Sequence, residues 1–139
     1  MLTFKDFAVG QIYRSGPCVV SKDEVQILYN ALGGTGAFEL LSVAEQSIFN
    51  QWAASSLTMK LMATGELQVV GGTQGLGVEE LEWGVPIKGE DTLRLESCVT
   101  MVRESRSDRD FGIIKLQTTT RNQDGEAVQI LTHAIRVAK

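Results

Sequence analysis

At 139 residues, 43% hydrophobic and 22% charged, the chain has the length of one globular domain, 1–139, and too much apolar content to be disordered. Its net charge of −4 excludes a nucleic-acid backbone as partner, and the densest basic run, Arg103 to Arg109, is diluted by Glu104 and Asp108. No apolar stretch approaches the about 20 residues of a membrane span, and no basic region followed by an apolar run opens the chain, so a cytoplasmic protein without a secretory signal is expected.

Gln11 to Val20 reads as a short strand. Ser21-Lys-Asp-Glu24 is a capping box, in which the Ser21 hydroxyl accepts a backbone N–H and Glu24 reaches back. It opens a helix with Val25, Leu28, Tyr29 and Leu32 at i, i+3, i+4 and i+7, and Gly33-Gly34 stops it. A second box, Ser42-Val-Ala-Glu45, opens another helix. No formal charge occurs from Gln46 to Met59, and neither Gly nor Pro from Ala37 to Thr64. A helix apolar or small on nearly every side is expected inside a core.

Leu67 to Trp83 is extended and glycine-rich, and Pro86 to Asp91 turns the chain. Thr92 to Glu104 alternates, with Leu93, Leu95, Val99 and Met101 expected on one face. Gly112 to Arg121 is a strand, Asn122-Gln-Asp-Gly125 a turn, and Glu126 to Ala138 a strand with Ala127, Leu131, Ile135 and Val137 on one face. The order β-α-α-β-β-β-β predicts an α+β fold, an antiparallel sheet wrapped around one long helix.

Phe4-Lys-Asp-Phe-Ala-Val-Gly-Gln11, Ser47-Ile-Phe49 with Trp52, Leu57-Thr-Met-Lys-Leu61, Gly77-Val-Glu-Glu-Leu-Glu-Trp83, Pro86-Ile-Lys-Gly-Glu-Asp-Thr-Leu93 and Asn122-Gln-Asp-Gly-Glu126 resemble, in order, landmarks of the MaoC-like dehydratases. The resemblance covers nearly the whole chain. It implies the hot-dog fold, a homodimer or higher even oligomer, and an acyl thioester such as acyl-CoA as ligand. It further implies an Asp and, five residues later, a His that act as acid and base on water. Alignment back from Ser47-Ile-Phe49 places Gly33 and Phe38 at those positions, and neither transfers a proton. About five residues are also missing between Phe49 and Trp52, where the family's glycine-containing loop supplies a backbone N–H to the thioester oxygen.

The expected reading is therefore an acyl-CoA-binding protein without enoyl hydratase activity, with Asn50, Gln51 and Trp52 near the carbonyl end of an acyl tunnel. Two alternatives stand beside it: a thioesterase in which Glu45, the better placed of the carboxylates Glu39 and Glu45, activates water, and a non-catalytic partner subunit of an active hydratase. Glu45 also has a plain role as the capping partner of Ser42. His133, the only histidine, shares a face with Leu131 and Ile135 and reads as a core or interface residue. Cys18 and Cys98 read as reduced, buried thiols; a zinc site would need both to converge with a carboxylate. Glu79, Glu80 and Glu82 read as a solvated edge. The clusters Gly33–Gly36 and Gly71–Gly77 lack nucleotide-binding spacing. No cofactor and no metal are expected.

Overall fold

Apolar alternation in the second half of the chain builds one antiparallel sheet. The computed structural model describes residues 1–139, with strands β1 (Ile12–Val19), β2 (Gln74–Trp83), β3 (Thr92–Glu104), β4 (Phe111–Arg121) and β5 (Ala127–Ala138). Their spatial order is β1-β3-β4-β5-β2, every neighbouring pair antiparallel. Helices α1 (Glu24–Ala31) and α2 (Val43–Thr64) lie between β1 and β2 in sequence. This is the expected α+β hot-dog architecture. No helix is long and apolar enough to cross a membrane.

Both capping boxes form in part. Glu24 accepts the Ser21 N–H at 3.3 Å, while the Ser21 hydroxyl receives Asp23 N–H and the helix begins at Glu24. Ser42 accepts the Glu45 N–H at 3.2 Å and caps α2. Gly33, at φ +89°, supplies the left-handed residue that ends α1, and Gly34 N–H closes the turn onto Tyr29 O at 2.9 Å.

The sheet's inner face carries two apolar clusters. Leu93, Leu95 and Val128 pack against Ala53, Ala54, Leu57 and Leu61 of α2. Val99, Ile114, Leu116, Ile135 and Val137 are capped instead by Phe7, Leu67 and Val69, from the segments before β1 and after α2. Between the clusters runs a polar belt. Thr58 on α2 bonds Thr120 on β4 at 2.7 Å, Ser97 bonds Thr118 at 2.8 Å, and Thr118 bonds His133 Nε2 at 3.0 Å. All five residues are buried. Left without partners, such groups would cost about 1–3 kcal/mol each.

Two sequence expectations need correction. A bulge between Val99 and Met101 shifts the β3 register, so Val102, not Met101, packs on the second cluster. And α2 buries only one face, through Ala53, Ala54, Leu57, Thr58 and Leu61; Val43, Ile48, Trp52 and Met59 are exposed. One sheet covers one side of a helix, and nothing in this chain covers the other.

Burial pushes the His133 imidazole below its ordinary value. Below the unfolded value of about 6.5 the unfolded chain therefore takes up a proton that the folded chain resists, so stability is full above that pH and falls as pH drops through it. Urea unfolding is expected to show a lower midpoint at about pH 5.5 than at about pH 7.5, and His133→Gln to flatten that part of the dependence.

Candidate functional site

Residues three and four apart share a helix face, so Val43, Ser47, Asn50 and Ala54 line one side of α2. Facing them is the segment that leaves β2, Trp83 to Ile87. It is pinned to β5 by Gly84 N–H to Val128 O at 2.9 Å and Val85 N–H to Ala127 O at 3.0 Å. Only glycine fits at 84, since a Cβ there would stand 2.1 Å from Ala127 O. Between helix and segment lies a cleft of about 290 Å³, with Ala54, Ile87 and Val128 as its buried apolar floor.

The polar lining is Gln46, Ser47, Asn50 and Gln51. Gln46 is committed, its Nε2 donating to Glu39 O and Leu41 O at 3.0 Å each. The side chains of Ser47, Asn50 and Gln51 make no hydrogen bond within the chain, which leaves them for a ligand or water. None of the 12 lining residues is titratable. The cleft can hold an apolar chain and donate or accept neutral hydrogen bonds, but its lining has no group with which to move a proton.

Asn50 and Gln51 line this cleft. Trp52, one residue further around the helix, does not line it; its side chain is exposed and meets the Trp83 ring edge-on at 5.1 Å. Trp83 is the aromatic that lines the cleft, with its Nε1 donating to Ser55 Oγ at 3.1 Å. The sequence reading missed Trp83, Pro86 and Ile87 as lining residues, although all three lie in segments that resemble family landmarks.

Glu45 stands in solvent on the first turn of α2, outside the cleft lining. Glu39 borders a second hollow of about 240 Å³, which shares Asn50 and Ile87 with the first and also carries Phe38. Glu79 pairs with Lys115, while Glu82 hydrogen-bonds Glu80 and raises its pKa, all on the exposed β2 strand. Cys18 and Cys98 are half-buried free thiols, and no three His, Cys, Asp or Glu side chains converge as metal ligands. Gly71 and Gly72, at φ +75° and +81°, lead into β2, whose register is bulged at Gly75/Gly77.

The segment from Gly33 to Phe38 is a structural brace. Phe38 is buried, its ring 6.1 Å from Tyr29 and 6.0 Å from Phe49, and those two rings meet edge-on at 5.3 Å. Gln26 accepts Phe38 N–H at 2.7 Å and donates to Gly36 O at 3.1 Å, and the Tyr29 hydroxyl donates to Thr35 O at 3.1 Å. Where the family's glycine-containing loop would run, α2 is unbroken from Val43 to Thr64. Backbone N–H groups in mid-helix bond within the helix, so Asn50, Gln51 and Trp52 have none to offer a thioester oxygen.

A solved MaoC-like dehydratase from Rhodospirillum rubrum matches this architecture with a TM-score of 0.85 at 30% sequence identity, covering 100% of this chain and 98% of that one. The chain belongs to the MaoC-like dehydratase family. Two further solved structures share its fold: R-hydratase PhaJ1 from Pseudomonas aeruginosa (TM-score 0.71, 19% identity, 99% and 86% of the two chains) and the (R)-hydratase of A. caviae involved in PHA biosynthesis (0.68, 21%, 96% and 98%). No protein-family model matches the chain, and no curated protein matches it.

In this MaoC-like chain Phe38 holds the aromatic brace together. Phe38→Ala is expected to cost about 3 kcal/mol, the usual scale for emptying a buried aromatic site. A matching drop in thermal midpoint, with far-UV circular dichroism unchanged below the transition, is the measurement.

Proposed function

We propose that this protein binds an acyl thioester, acyl-CoA in the first instance, in the cleft between α2 and Trp83–Ile87, and does not hydrate it. The observation that carries the reading is the lining itself: an apolar floor, three unengaged neutral polar side chains and no titratable group. An acyl chain fits the floor. Asn50 and Gln51 are suited to the thioester carbonyl or the amides of its carrier, as neutral donors that need no proton transfer. Trp52 takes no part in that contact. The family resemblance suggests the ligand class, and Gly33, Phe38 and the unbroken helix argue against hydratase chemistry.

No observation favours the thioesterase alternative, because the Glu45 carboxylate lies outside the cleft. Calorimetry is expected to show binding heat for a saturated acyl-CoA. Crotonyl-CoA is expected to show neither hydration nor thiol release above background, since losing one positioned acid or base removes about 10² to 10⁴ in rate. The double variant Gly33→Asp, Phe38→His is expected to stay inactive because α2 remains unbroken. Hydratase turnover by the unmodified protein would overturn the proposal.

The assembly reading is a homodimer or higher even oligomer formed through β2. That strand is a sheet edge with unpaired backbone groups along its open side, and Leu76 and Val78 on it are exposed, as are Trp52 and Met59 on α2. Sedimentation at micromolar concentration is the check, and a stable monomer would contradict it. Two free thiols suit the reducing cytoplasm, where we place the protein.

A further inference from the structure

Trp83 is held from three directions. It is the last residue of β2, and the next two residues are tied to β5 through backbone hydrogen bonds. Its register partner on β5 is Gln129, a residue only 1% exposed. Gln129 Oε1 accepts a hydrogen bond from Ser55 Oγ, and Ser55 Oγ in turn accepts the indole N–H at 3.1 Å. A buried amide, a helix hydroxyl and the indole thus form one chain that links β5, α2 and β2. Trp52 closes on the indole from outside, ring planes 75° apart.

The placement of this chain along α2 matters. Ser55 is the residue after Ala54, the last α2 residue of the cleft lining, so the indole stands at the end of the cleft. Asn50 and Ile87 of the cleft lining also border the second hollow. We infer that Trp83 is the end-stop that sets the longest acyl chain the cleft accepts, and that Ser55 and Gln129 are positioning residues that hold the indole across the cleft. The inference rests on the acyl-binding reading above. A ring fixed by one hydrogen bond and one edge contact cannot swing aside without losing both, so the stop is firm.

The test is a calorimetric series of butanoyl-, hexanoyl-, octanoyl- and decanoyl-CoA on the intact protein. Affinity is expected to rise about fourfold per methylene while the chain is still entering the cleft, then to stop rising. In Trp83→Ala the break is expected to move to longer chains. In Ser55→Ala it is expected to move the same way or blur, and Ser55→Thr, which keeps the hydroxyl, to restore the original break. Trp83→Phe, a smaller ring without the N–H, stands in if Trp83→Ala does not fold, with the break again moving to longer chains. An unchanged break in folded Trp83 variants overturns the end-stop and leaves acyl binding intact. A movement with Trp83→Ala but none with Ser55→Ala overturns the positioning roles. If no acyl-CoA binds the unmodified protein, the end-stop falls together with the acyl-binding reading.

Discussion

Thr58 and Thr120, neither with any exposed surface, share a hydroxyl hydrogen bond at 2.7 Å that fixes α2 over the sheet. The bond restricts where the helix can sit, because sliding or turning α2 would bury two hydroxyls without partners, at about 1–3 kcal/mol each. With Thr58 placed, Ala53, Ala54, Leu57 and Leu61 fall on Leu93, Leu95 and Val128, and Ser55 comes within reach of Gln129 and Trp83. The cleft follows from the same registration, since its helix wall lies one to four turns before Thr58. Apolar burial supplies most of the stabilisation, at about 1.5–3 kcal/mol for each fully buried Leu, Val or Ile. It is non-directional, however, and the hydroxyl pair adds the direction.

The segment after α1 and the unbroken α2 belong together. With a phenylalanine at position 38, the loop after α1 folds onto Tyr29 and Phe49, and Gln26 satisfies its backbone. With no glycine between Ala37 and Thr64, the helix has no reason to break. Both features bear on the proposed loss of hydration, one through the proton-transfer groups and the other through the exposed backbone donor. What is left intact is the space for a ligand, with neutral side chains around it.

Much of the scaffold was legible in the sequence because its signals are local. Ser42 as a cap, Gly33-Gly34 as a stop, the Asn122–Gly125 turn and the alternation of β3 and β5 each lie within a dozen residues. The features that were not legible depend on distant pairing. Met101 leaves the inner face because of a bulge opposite β4, and α2 is half open because the sheet has only one layer to give it. Of the two tryptophans, sequence favoured Trp52, on the helix thought to line the tunnel. The choice of Trp83 is made by Ser55 and Gln129, which are 74 residues apart in the chain. Asn50 and Gln51 were legible only as the polar residues of the helix expected to line a tunnel.

The polar belt also divides the molecule into two halves that barely share side chains. The half beneath α2 holds the cleft, and the buried cluster beneath Phe7, Leu67 and Val69 draws none of its members from α2. Substitutions far apart with no common partners combine additively, whereas members of one hydrogen-bonded network do not. The second half can therefore be repacked for robustness without disturbing the ligand space, and the cleft can be reshaped without a matching loss elsewhere. Thr58, Ser97, Thr118, Thr120 and His133 mark the boundary where that independence ends.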